Sequence, residues 1–196
     1  NVVVMAPSDE AELANMVLTS SRYSDGPIFC RYPRGEGEGV DIAEPPEIIE
    51  IGKGRIIRKG KDLAIFALGT RVGAALKVTD DLVVEGYSIT VADARFAKPI
   101  DTQLLQELWE NHSKLIIIEE GSVGGFSSHC LHFLSSYGML NHGGKEIRCL
   151  TMPDYFQDHA SQNEQLAKAG LDVDGLTNTI REMLSLSTSN NNMLVK

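Results

Sequence analysis

The stretch DLAIFALGTRVGAALKVTDDLVVEGYSITVA, residues 62–92, sets the class of the fold. Asp62–Leu68 is a short apolar run closed by Gly69-Thr70, the pattern of a strand covered on both faces. Arg71–Glu85 reads as a helix. Gly86 is its stop, because glycine enters the left-handed turn that ends helices without a Cβ penalty. Tyr87–Ala92 is the next strand. A strand, a helix and a strand in so little chain require a right-handed crossover between parallel strands. The expected class is α/β with a largely parallel sheet.

Outward from this unit the alternation continues. Asp93–Pro99 reads as a loop, and Asp101 caps a helix to about His112. Lys114–Ile118 is a continuous apolar strand ended by Glu119-Glu120-Gly121. Gly124-Gly125 lead into a helix through Tyr137. Glu146–Met152 is a strand closed by Pro153-Asp154, and helices are expected at 161–169 and 174–185. The Ser/Asn-rich tail, 187–196, has the composition of a disordered segment. Toward the N-terminus, Ile48–Ile57 is strand-like with an interruption at 52–54. Residues 35–46 are rich in Gly, Glu and Pro and lack periodicity, so they read as a linker. Val2–Met5, a helix opened by Ser8-Asp9-Glu10, and Ile28–Tyr32 form a β-α-β unit over residues 1–34. Ligands of such sheets lie at the carboxyl ends of the strands. The candidate loops are therefore 31–35, 69–71, 93–98, 119–125 and 153–159.

Composition narrows the function classes. The chain has 196 residues, of which 42% are hydrophobic and 23% charged, the balance of a globular protein. Its net charge of −9 argues against a nucleic-acid binder, which presents a basic face. Cys30, Cys130 and Cys149 form no metal-ligand pattern and read as reduced structural residues. No run of roughly 18 apolar residues suggests a membrane span. The first residues resemble neither a signal nor a transit peptide and enter a strand directly, which suggests further chain upstream.

Four sets of residues carry candidate chemistry. Arg31-Tyr-Pro-Arg-Gly35 places two guanidinium groups at the end of an apolar strand, and arginine forks onto phosphate or carboxylate. The competing reading is that Arg31 and Arg34 pair with nearby acids. Glu119-Glu-Gly-Ser-Val-Gly-Gly-Phe126 is a strand-to-helix turn that either cradles an anion or packs backbone tightly. In Arg95-Phe-Ala-Lys-Pro-Ile-Asp101, Arg95 and Lys98 face a ligand or serve structure. His129 and His132 lie three apart on one helix without a third metal ligand. His112, His142 and His159 stand alone, and no nucleophile elbow is present.

Taken in order, Val4-Met-Ala-Pro-Ser-Asp-Glu-Ala-Glu-Leu13, Arg31-Tyr-Pro-Arg-Gly35, Asp93-Ala-Arg-Phe-Ala-Lys-Pro-Ile-Asp101, Glu119–Phe126 and Pro153-Asp-x-x-x-Asp-His159 resemble the 1-deoxy-D-xylulose-5-phosphate synthases, transketolase-like enzymes. The resemblance implies that 1–34 end a pyrimidine-binding domain, 35–46 link, and 47–186 form a transketolase C-terminal domain. It implies condensation of pyruvate with glyceraldehyde 3-phosphate, with loss of carbon dioxide, for isoprenoid precursors. It also implies thiamine diphosphate and magnesium in the full-length enzyme, with none bound by this chain alone. Arg31 matches the arginine that contacts the substrate phosphate, and Arg34 sits beside it. The cofactor-holding motifs of the family are expected upstream of Asn1, so no catalytic or metal-binding residue is carried over. A homodimer is implied, in plastids for a plant chain and in the cytoplasm otherwise. Glu36 and Ala160 depart from the family's Asn and Gly. Two alternatives stay open: the end of a 2-oxo-acid dehydrogenase beta subunit, or a non-catalytic dimerisation module.

Overall fold

The computed structural model describes the backbone of residues 1–141 and 143–192, and side chains through Leu184 except that of His142. Fifteen short or regular segments follow in order. They are β1 (Val3–Met5), α1 (Glu10–Arg22), β2 (Ile28–Cys30), β3 (Arg55–Arg58), β4 (Leu63–Ala67), α2 (Arg71–Val84), β5 (Ile89–Asp93) and β6 (Phe96–Lys98). Then come α3 (Thr102–Asn111), β7 (Lys114–Ser122), α4 (Phe126–Ser136), a 3-10 turn (Met139–Asn141), β8 (Glu146–Met152), α5 (Gln162–Lys168) and α6 (Val173–Asn192).

The larger sheet has the order β3-β5-β4-β7-β8. Three of its four pairings run parallel, and the fourth, at the edge, sets β3 antiparallel to β5. The continuous apolar run in β4 follows from burial on two sides. Leu63, Ile65 and Ala67 pack with α2 and α6 through Val72, Ala75, Val78, Ile180 and Met183. Ala64, Phe66 and Leu68 pack on the other side with Leu105, Trp109, Phe126 and Leu134 from α3 and α4. Side chains alternate across a strand, so both faces need apolar residues. Capping is as the sequence suggests: the Asp9 carboxylate accepts from the Glu12 N–H at 2.9 Å, and Asp101 from the Leu104 N–H at 3.0 Å.

A second sheet has the order β2-β1-β6. β1 pairs parallel with β2 and antiparallel with β6. The expected loop at 93–99 therefore contains a strand. Its partner lies far away in sequence, so no local alternation marks it. Arg95 turns the chain into β6 with φ 57°, a left-handed conformation that costs a non-glycine residue about 1–2 kcal/mol. The turn is held by the Arg95 N–H donating to Asp93 Oδ1 at 3.0 Å. Val3, Met5, Met16, Ile49 and Phe96 make the small core beneath this sheet.

A buried charge cluster ties the two sheets together. Glu12 of α1, 3% exposed, accepts a fork from Arg95 with both contacts at 2.9 Å. Arg55 reaches the same carboxylate at 2.9 Å and lies 3.6 Å from Asp93 Oδ2.

Residues 35–46 contain no helix or strand, yet α1 holds them. The Glu10 carboxylate accepts the N–H groups of Glu38, Gly39 and Val40. Asn15 accepts from Glu47 N–H at 2.8 Å, and Thr19 from Ile49 N–H at 2.9 Å. This anchoring shortens the expected strand at 48–57 to Arg55–Arg58, because Ile49 serves α1 instead of a ladder. A second difference is at the C-terminus. α6 continues to Asn192 across much of the segment whose composition suggests disorder. Helix propagation from the packed turns at Leu176–Leu184 adds a hydrogen bond per residue at small cost. Residues 193–196 lie outside the described residues. Among those described, no helix is long and apolar enough to cross a membrane, and all three cysteines are free thiols.

Candidate functional site at the junction of the two sheets

Arg31 stands one residue beyond β2. Its backbone N–H donates to Met5 O at 2.9 Å, so the β1–β2 ladder positions it, and Pro33 then turns the chain away. The guanidinium reaches Glu120 of β7, with Nη1 at 2.8 Å from Oε2. The Glu120 side chain is 4% exposed, whereas that of Arg31 is 50% exposed. Arg31 is thus gripped on one side and open on the other.

Glu120 is itself fixed from the larger sheet. The Thr70 hydroxyl donates to Oε1, and Arg71 Nε does so at 3.1 Å. Arg71 Nη1 donates to Leu171 O at 2.7 Å, which anchors that arginine in turn. Burial pushes the Glu120 carboxyl upward, but the Thr70 hydroxyl and the charges of Arg71 and Arg31 outweigh it and hold it below its usual range. Glu120 is ionised at neutral pH, and the trio with two arginines keeps one net positive charge. Thr70 and Arg71 follow β4 and Glu120 lies in the last three residues of β7, so the cluster sits at the carboxyl edge of adjacent parallel strands.

Glu119 points the other way, as strand alternation requires. It accepts the N–H groups of Phe126 at 3.0 Å and Ser127 at 2.8 Å at the start of α4. A Cβ at Gly125 would come 2.6 Å from its Oε2, and one at Gly121 would also collide with that atom. The glycine-rich turn does cradle an anion, and that anion is the chain's own Glu119.

The sequence-derived candidates separate in space. Arg31 lines a cavity of about 330 Å³ with Lys98, His129, Glu119 and Glu120, over a floor that includes Met5, Leu68 and Phe126. Arg34 lines a different cavity, of about 380 Å³, among Asp9, Glu10, Glu36 and Glu38. The two arginines are not brought to one cavity. Arg95 is paired with Glu12, while Lys98 lines the same cavity as Arg31. His129 and His132 line a shallow cleft beside Tyr137. Both ring nitrogens of His112 are within 3.0 Å of protein partners, Leu108 O and Thr90 Oγ1, as in a satisfied core histidine. His159 is exposed in a loop, and His142 lies outside the described residues. No group of three or more His, Cys, Asp or Glu among the described residues is placed to hold a metal ion. Sequence reasoning had the 69–71 loop as a candidate but did not join Thr70 and Arg71 to Glu120, since that link spans two strand ends.

An α/β unit with helices on both faces of a mostly parallel sheet, docked through β6 on a second sheet, defines the class: a C-terminal domain of the transketolase type. Residues 52–176 match the transketolase C-terminal domain family, and the chain belongs to it. A solved structure described as a split gene transketolase, an inactive beta4 tetramer, is similar with a TM-score of 0.79 and 26% identity. The likeness covers 95% of this chain and 59% of that one.

Proposed function

We propose that this chain is the C-terminal part of a 1-deoxy-D-xylulose-5-phosphate synthase, in which Arg31 contacts the phosphate of glyceraldehyde 3-phosphate during its condensation with pyruvate. The observation that carries this is the half-exposed Arg31 guanidinium, oriented by buried Glu120 at the edge of a 330 Å³ cavity. A preoriented guanidinium loses less freedom on meeting a phosphate than a free one. Arg34, exposed among four carboxylates, has a weaker role in this reading. Thiamine diphosphate and magnesium belong to the larger catalytic unit. The resemblance favours a homodimer of that unit, located in plastids for a plant chain and in the cytoplasm otherwise. The split-gene neighbour, an inactive tetramer of beta chains, supports both oligomerisation and inactivity of the isolated chain.

The test joins this chain to the cofactor-binding segment of a deoxyxylulose-phosphate synthase. The chain alone gives no product from pyruvate and glyceraldehyde 3-phosphate, and the joined protein does. Arg31→Ala raises KM for glyceraldehyde 3-phosphate by about tenfold or more, as loss of a charge-assisted contact does. Turnover by the chain alone, lipoyl-dependent acyl transfer by the joined protein, or an unchanged KM in the variant overturns the reading.

A further inference from the structure

Helix α4 turns a second set of side chains toward solvent. His129, His132, Phe133 and Ser136 fall at the i, i+3, i+4 and i+7 positions of one face, and Tyr137 follows at the C-cap. Opposite them run the end of β6 at Lys98 and the start of α3 at Thr102. The cleft between these walls has a volume of about 420 Å³, within the roughly 300–1,000 Å³ typical of small-molecule sites. Lys98 and His129 border both this cleft and the Arg31 cavity, whereas His132, Phe133 and Tyr137 border this cleft alone.

Its charge balance sets it apart. The chain carries a net charge of −9, and four other cavities, of about 330 to 530 Å³, each have two or more carboxylates on the wall. This cleft has none. Lys98 makes no salt bridge among the described residues. The side chains of Lys98, Thr102, His129, His132, Ser136 and Tyr137 make no hydrogen bond among the described residues either. An ammonium, two imidazoles and three hydroxyls therefore stand together with donors to spare. An ionised phosphate monoester offers acceptors only and matches such a wall. The apolar part of the cleft is aromatic. The rings of Phe133 and Tyr137 lie 4.8 Å apart at 45°, and Tyr137 is 73% exposed. Such a pair offers a ring face to a planar ligand.

We propose that this cleft is a second ligand site, for a phosphate monoester of a planar aromatic group, of which a nucleoside monophosphate is the natural example. Lys98, His129 and His132 take the phosphate, and the Phe133–Tyr137 pair takes the ring. The site lies on the transketolase-type domain and does not rest on the reading of Arg31.

Calorimetric titration of the whole chain with AMP tests this, with adenosine and inorganic phosphate as controls. AMP binds with a Kd of about 1 mM or tighter, and each control binds at least about tenfold more weakly. His132→Gln and Tyr137→Ala each weaken AMP binding by about fivefold or more, and Arg31→Ala changes it less than about twofold. Both substituted cleft side chains are exposed, and melting temperatures report that the variants are folded. The controls test the chemistry on the unaltered chain, without any substitution. AMP binding weaker than expected overturns the site. Phosphate binding as tightly as AMP overturns the aromatic contact, and adenosine doing so overturns the cationic one. Weakened binding in Arg31→Ala with His132→Gln unchanged places AMP in the adjoining cavity and overturns the second site.

Discussion

Asp93 is wholly buried, and one of its oxygens, Oδ2, has no hydrogen-bond partner; the same holds for Arg55 Nε beside it. Burial raises its carboxyl from 3.8 to about 6, reinforced by Glu12 and opposed by Arg55 and the Arg95 N–H. Because the folded state binds this proton more tightly than the unfolded chain, the stabilisation is complete below pH 3.8 and is lost as the pH rises through about 6. Asp93→Asn cannot titrate. Urea denaturation at pH 7.5 and pH 5 is expected to show the unaltered chain gaining stability relative to Asp93→Asn at the lower pH. Parallel changes in the two proteins would refute it. At this scale the sequence is legible where a residue acts through its own loop. Arg31 stands out at a strand end, and Asp9 and Asp101 stand out as caps. The partners Glu12–Arg95 and Arg31–Glu120 are not legible, since each joins charges from segments brought together only by the fold.

Elements differ in how far their own residues account for them. β4, β5 and β7 announce themselves as apolar runs because both faces are covered, and the helices between them carry caps and glycine stops. β6 has three residues and owes its existence to β1. Residues 35–46 have linker composition, but α1 pins them through Glu10, Asn15 and Thr19. Composition reports only that the segment makes no core; it is silent on which backbone N–H groups find acceptors. Glu10 carries most of that anchoring near Gly39; its own backbone N–H first, and then those of Glu38, Gly39 and Val40, hold its carboxyl below the usual range against the opposing effect of burial. Glu10→Ala is expected to speed proteolytic cleavage between residues 36 and 44 by about tenfold, with a small change in overall stability. Unchanged cleavage would mean that other contacts hold the segment.

For the molecule as a whole, β6, which follows β5 of the larger sheet and pairs with β1, and the Glu12–Arg95–Arg55–Asp93 cluster couple the two sheets. Trp109, the single tryptophan, is buried under the larger sheet and reports its unfolding alone. Its fluorescence and the far-UV ellipticity are expected to trace one urea transition. Glu12→Ala, which strands two arginines, is expected to lower stability by about 2–4 kcal/mol. Two separated transitions in the unaltered chain would refute the coupling. The α/β class is legible in residues 62–92 alone, whereas the way β6 stitches the sheets together is not. That stitch also imposes an order on biosynthesis. Val4 leaves the ribosome long before Lys98, so the nascent first unit must wait with one flank of β1 unpaired until β6 emerges. The N-terminal segment is therefore completed late, by a strand that the growing chain delivers from the next domain.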